Sequence, residues 1–449
     1  MNVRLARRRW AIGLAIWALV ATGCGSPSPA TPRTDANPMA VASPASLPAP
    51  LAPPTPAPSF PTRAAGRIAE LEARLRTTPG DGAAYRDLGA ALLQRARETG
   101  DPSLYDRADL AFGRARTLSP GDPYVHVGMG TLQLARHEFA VALGTGQAAT
   151  RIEPRLPEAL GVQVDALVEL GRYEDAVATL QEMVDRKPGL AAFARVSYLR
   201  ELHGDLPGAL ETMERALGAG TGTPENDAYV AVLVGHLDQL LGRPDDAARA
   251  VDRALTLVPD YPPALAAQGR AAVAAGDLAT AIERFSKAAD IIPLPEYVMA
   301  LGEAQEAAGE AAAAGRSYDL VRAEGRLLQA SGVVVDLELA TFEADHGDRA
   351  TALSLAQAAY RERPTVKAAD GLAWALYRNG RFAEALEHSR EALRLGTKDP
   401  AMLYHAGAIA ATSGNSTAAR RYLTEALRLD AGFSATGADD ARARLARLD

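Results

Sequence analysis

Apolar and polar positions along this chain repeat with a period of 33 to 38 residues. Glycines stand at 171, 204, 242, 276, 309, 347, 380 and 414, at spacings of 33, 38, 34, 33, 38, 33 and 34. Five residues after each of them comes an alanine: Ala176, Ala209, Ala247, Ala281, Ala314, Ala352, Ala385 and Ala419. Alanine fills about a fifth of the chain, so eight coincidences in eight have a chance probability on the order of one in a million. Between the glycines the pattern predicts two helices. In the unit from Pro262 to Pro295, Leu265, Gly269 and Ala272 share one face of a first helix, and Gly276-Asp277 breaks it. Ala281, Phe285 and Ala288 share one face of a second helix, and Pro293 ends it because proline cannot continue the backbone ladder. The small residues Gly269, Ala281 and Ala288 let neighbouring helices approach closely, where a larger side chain would overlap.

Ten units follow this pattern. Tyr85, Leu88, Gly89, Ala108, Phe112, Ala115 and Pro120 mark the first, with an insertion around Arg97–Pro102. Tyr124, Val127, Gly128, Ala142, Ala149 and Pro154 mark the second. In the third and fourth, Val164 and Ser197 replace the first-helix glycine. Leu301, Gly302, Ala314 and Tyr318 mark the seventh, and Leu403, Gly407, Ala419, Leu423 and Ala426 the tenth. The pattern resembles the tetratricopeptide repeat, a helix–turn–helix unit of about 34 residues. The runs DALVELGRYEDA, PLPEYVMALGE and LAWALYRNGRFAEAL are similar to a widespread group of bacterial tetratricopeptide-repeat proteins.

This resemblance, which covers nearly all of residues 67–449, implies an all-α fold and no particular activity. The expected architecture is a right-handed superhelical solenoid of about ten repeats over residues 67–433. A helix at Arg67–Arg76 and a segment at 434–449 would cap its ends. The two 38-residue spacings place extra loop near Gly220–Asn226 and Gln329–Val333. The resemblance also implies a concave groove lined by fixed positions of each first helix. Carried onto this chain, those positions give Asp165, Tyr198, Tyr229, His236, Arg270, Glu303, Asp370, Trp374, Tyr377, Arg378 and Tyr404 as partner contacts, with Glu201, Gln239 and Glu306 beside them. Asp370, Trp374, Tyr377 and Arg378 would then form an exposed aromatic and charged cluster, the composition of a contact hot spot. The competing expectation is that Trp374 packs against the next repeat. The lysine and asparagine clamp by which chaperone-binding relatives hold C-terminal carboxylates is missing.

The N-terminus reads as an address. Arg4, Arg7, Arg8 and Arg9 precede an uncharged apolar run from Trp10 to Thr22, too short to span a bilayer comfortably. The run ends in VATGC, which resembles the lipobox of bacterial lipoproteins, with Ala21 where leucine is usual. That resemblance implies a signal peptide over residues 1–23, lipidation of the Cys24 thiol, and an extracytoplasmic protein anchored at a membrane. Residues 24–62 hold 12 of the 29 prolines among Ala, Ser and Thr, with little charge. Such a stretch lacks backbone donors and apolar bulk, so it is expected to be a disordered, semi-extended tether.

Composition narrows the chemistry. The chain has 449 residues and a net charge of −7, with no basic block past the first ten residues, which argues against a nucleic-acid partner. Cys24 is the single cysteine, so neither an intramolecular disulfide nor a cysteine metal cluster can form. The seven histidines include no HExxH pair, and no nucleophile elbow, P-loop or dinucleotide fingerprint occurs. His346, next to Asp345 and a turn glycine, is expected to be solvated. No metal or cofactor is expected. The reading is a non-catalytic scaffold that binds a protein or peptide partner in its groove. The alternative is an envelope glycan or small-solute binder that stacks its ligand on Trp374 or Tyr377.

Overall fold

The structure, a computed structural model, describes residues 17–21, 39–42, 63–220, 224–433 and 435–448. Cys24 and most of the leader and proline-rich stretch lie outside the described residues. Trp17–Ala21 (β1) pairs antiparallel with Met39–Ala42 (β2), so one short strand falls inside the stretch read as a spacer.

From residue 63 every described element is helical. Helix α1 (Arg63–Thr77) leads into the pairs α2 (Gly82–Thr99) with α3 (Ser103–Leu118), α4 (Pro123–Ala135) with α5 (Phe139–Ile152), and α6 (Pro157–Glu169) with α7 (Tyr173–Arg186). Next come α8 (Leu190–Leu202) with α9 (Leu206–Ala219), α10 (Pro224–Leu240) with α11 (Pro244–Leu257), and α12 (Pro262–Ala275) with α13 (Leu278–Ile291). The series continues with α14 (Pro295–Ala307) and α15 (Ala311–Ala330), α16 (Asp336–His346) and α17 (Arg349–Glu362), and α18 (Val366–Arg378) and α19 (Phe382–Ala392). It closes with α20 (Pro400–Thr412), α21 (Ser416–Leu429) and the single helix α22 (Gly437–Leu448). This is the expected all-α solenoid of ten helix pairs. The strands β1 and β2 lie against α2, α4, α6, α8 and α10.

Local chemistry explains the boundaries. Proline opens α4, α6, α12, α14 and α20, where its missing N–H is unneeded. Asp81, Asp205, Asp277 and Asp348 cap helix N-termini by accepting a backbone N–H. At Gly276 the φ is 76°, the left-handed conformation that lets α12 stop and α13 start at once. The first-helix glycine has a packing role: a Cβ on Gly269 would sit 2.7 Å from the Phe285 ring, and one on Gly302 2.6 Å from Tyr318. Ser197, which replaces that glycine in the fourth unit, is buried and donates to the Ala209 carbonyl at 2.7 Å. The two insertions do not become extra loop alone. They lengthen α10 to 17 residues, against 13 in most first helices, and α15 to 20, against 14 in most second helices, because added helical turns satisfy their own backbone groups.

The array also curls back on itself, and later units pack on earlier ones. Val366 N donates to Tyr173 Oη at 3.0 Å across 193 residues, and Lys367 Nζ to Tyr198 Oη at 3.0 Å across 169. The Arg363 guanidinium lies 5.1 Å from the Phe139 ring centre, and that of Arg394 5.4 Å from Tyr173. A Cβ on Gly204 would sit 2.2 Å from the Gly396 carbonyl oxygen. This line of contacts forms a seam, and it lies within a single apolar core drawn from residues 127–264 and 340–441.

Candidate functional site

Because the seam draws the array closed, the first helices face an interior instead of an open groove. Two adjoining clefts occupy that interior, with volumes of about 230 Å³ and about 360 Å³. The first lies among α12, α14, α16, α18 and α20, and the second among α8, α10, α12 and α20. Arg270, Lys367, Asp399 and Met402 line both.

The shared wall is charged and poorly solvated. Burial pulls the Lys367 ammonium down, but Tyr198 and Glu169 outweigh it and hold the group above its ordinary value. Burial lowers the Arg270 guanidinium, opposed by Glu296, Tyr297 and Asp430. The carboxyls of Glu169, Glu296 and Asp399 are all raised, in each case chiefly by burial. Asp399 also caps α20, accepting from Ala401 N at 2.9 Å and Met402 N at 3.0 Å. His137 lines the first cleft from the α4–α5 turn with φ 62°, and burial lowers its imidazole to about 3.

Of the expected groove residues, Arg270, Glu303 and Asp370 line the first cleft, and Tyr198, His236 and Arg270 the second. Glu303 is buried 3.3 Å from His346 Nε2, Asp370 receives His405 Nδ1 at 2.8 Å, and Glu201 lies 3.2 Å from His236 Nε2. These three contacts each join the first helices of successive units.

The others lie elsewhere. Asp165 accepts two bonds from Arg195, at 2.8 and 2.7 Å, in an ion pair buried between α6 and α8. Tyr229 is buried on α10, and burial raises its phenol well above the ordinary value. Tyr404 has no exposed surface and donates to Asp440 Oδ2 of α22 at 2.8 Å.

The expected exposed cluster at Trp374 is corrected. Trp374 is 0% exposed, with its ring stacked 4.2 Å from His405 and 4.9 Å from Tyr377. Its Nε1 donates to Asp345 Oδ1 at 2.9 Å, and Arg378 Nη1 reaches the same oxygen at 2.9 Å. The competing expectation, packing against the next repeat, therefore describes it. His346 is corrected too. It is buried and stacked 4.2 Å from Tyr318, because the short helix α16 carries it under α15 before the turn begins.

The residues that sequence reasoning missed come mainly from the seam and the helix caps. Arg363 and Lys367 flank the start of α18, and Asp399 precedes α20. Projection from first-helix positions could not find them. The one available signal was rarity: Lys367 and Lys398, which lines the second cleft, are two of only four lysines in the chain.

Among the described residues, no group of three His, Cys, Asp or Glu side chains could hold a metal ion, and no helix is long and apolar enough to cross a membrane.

The tetratricopeptide repeat family matches residues 127–191, 162–224, 235–294 and 337–400. Tetratricopeptide repeat protein 36 of Bos taurus is 32% identical over 113 residues, which are 25% of this chain and 60% of that protein. The human IFIT1 dimer with PPP-AAAA aligns with 73% of this chain and 77% of its own at 17% identity and a TM-score of 0.46. PilW, a type IV pilus biogenesis factor, aligns with 46% of this chain and 97% of its own at 17% identity and a TM-score of 0.38. With its ten helix pairs and these four matched stretches, the chain is a solenoid of tetratricopeptide repeats.

Proposed function

We propose that this protein is a non-catalytic, extracytoplasmic scaffold, anchored at a membrane through a lipid on Cys24, that takes an extended segment of a protein partner into its interior. Tetratricopeptide repeats make a protein-interaction scaffold. The observation that carries the finer reading is the pair of adjoining clefts behind the seam. A folded domain does not fit spaces of a few hundred cubic ångströms, whereas one extended chain can run through both and meet side chains from successive units. The proline-rich stretch 24–62 would hold the array away from the anchor. The glycan or solute alternative loses its support at Trp374, since both ring faces are covered.

The test is an in-cell crosslinking pull-down of the parent beside an Arg270→Ala/Asp399→Asn variant whose helical content is unchanged. A partner recovered by the parent and lost by the variant supports the interior site. Equal recovery from both overturns it. The anchor is tested by Cys24→Ser, which should abolish labelling by radioactive palmitate and move the protein to the soluble fraction. Undiminished labelling would refute the anchor.

A further inference from the structure

The apolar core is interrupted around the first cleft. Among the described residues, one cluster of buried apolar side chains runs through residues 127–264 and 340–441. Six large apolar residues of units six to eight lie outside it. Phe285 and Leu294 belong to a second cluster, Met299 and Phe342 to a third, and Leu328 and Val335 to a fourth shared with α1–α4. All six line the first cleft, which therefore lies where three clusters stop short of one another. The helices are splayed at the same place: α15 and α16 lie against each other less than any other two consecutive helices of the array. Such walls offer a guest dispersion contacts and the removal of apolar surface from water.

The remaining wall is charged, and its groups are matched within the protein. Glu303 is joined to His346 and Asp370 to His405, while Asp399 caps α20. Arg363 lies 3.6 Å from Glu169 and 3.9 Å from Glu338, Lys367 donates to Tyr198, and Arg270 faces Glu296. Recognition of a guest is thus left to the apolar side. The sign of the charged wall then selects among apolar guests. Six carboxyl groups line the cleft against three permanent cations, Arg270, Arg363 and Lys367. A fatty acid or an anionic lipid would bring its head group to a wall of its own sign. An apolar side chain on an extended peptide arrives with a neutral backbone.

We propose that the first cleft is a subsite for a bulky aliphatic side chain carried on the partner segment, seated among Phe285, Met299, Leu328 and Phe342. The side chain joins apolar walls that belong to three clusters. This subsite presupposes the interior as the partner site and adds which kind of residue enters it.

The full chain would be titrated by calorimetry with three blocked pentapeptides of alanine, carrying leucine, alanine or glutamine at the centre, and with dodecanoate. The leucine peptide should bind at least about tenfold more tightly than the other two, because its added carbons leave water and glutamine's amide does so only at a cost. Ala300 lines the cleft from a partly buried position on α14, so Ala300→Phe fills the space. The variant should hold its melting temperature and bind the leucine peptide no better than the alanine peptide. Val273→Phe, which enters the same cleft from α12, replaces it if that melting temperature falls. A leucine preference that survives the filled cleft would place the site elsewhere and overturn the proposal. Equal affinity for the three peptides would overturn the subsite and leave the interior site standing. Tighter binding of dodecanoate than of the leucine peptide would assign the cleft to an acyl chain and overturn the side chain as its occupant. Failure of all three peptides to bind would remove both readings.

Discussion

Glu324 on α15 has no exposed surface, and neither carboxyl oxygen has a partner among the described residues. Burial alone raises its pKa from 4.5 to about 9. The folded protein therefore keeps this proton up to about pH 9, while the unfolded chain loses it near 4.5. Stability from this group is fully present below the unfolded value and is lost as pH rises to the folded one, at up to about 1.4 kcal/mol per pH unit. Glu324→Gln should flatten that decline and be the more stable protein at pH 8, as urea unfolding at several pH values would show. Identical slopes for parent and variant would refute the account. At this scale the sequence was legible for position and much less so for burial. The repeat phase placed Arg270 and Asp370 toward the interior, and both line the first cleft. It could not say that Arg195, from the next unit, would enclose Asp165, or that His405, from the next unit, would cover Trp374. Those outcomes depend on neighbours 30 or more residues away.

Helices and turns were the most legible parts, because their causes are local. An alanine five residues past a glycine, a proline at a helix start and an aspartate cap each act within one or two turns of chain. The lengthened α10 and α15 were not legible. Extra residues between periodic positions can extend a helix or a loop, and neither changes the spacing that the sequence displays. The turn glycines permit a test that separates local conformation from packing. Gly204 and Gly276 share a φ of 76°, but a Cβ on Gly276 meets open space, while one on Gly204 meets the Gly396 carbonyl. Gly276→Ala should cost roughly 1 kcal/mol, the left-handed penalty alone. Gly204→Ala should cost about 1–3 kcal/mol more, because it forces the seam apart. Equal losses in chemical denaturation would show that the seam contributes little at that point.

The seam itself gave no signal in the chain, since its contacts obey no short period. It joins surfaces that are well formed as repeat faces without it, and it turns the expected open groove into two partly open clefts. The capping helix α22 is part of the same closure: Asp440 receives Tyr404, and Phe433 packs 5.4 Å from that ring. Deleting residues 437–449 should bare the last apolar face, lower the melting midpoint by several degrees and induce binding of a hydrophobic dye. An unchanged midpoint would mean that the final pair caps itself. Solenoids of this kind ordinarily gain or lose whole units without harm, because each unit touches only its neighbours. Here the duplication or loss of one helix pair between Tyr173 and Val366 would slide everything downstream by a full unit. Tyr173, Tyr198 and Gly204 would then face strangers across the coil. The number of units is therefore a fixed quantity in this protein, and its lineage can vary by substitution much more freely than by recombination within the array.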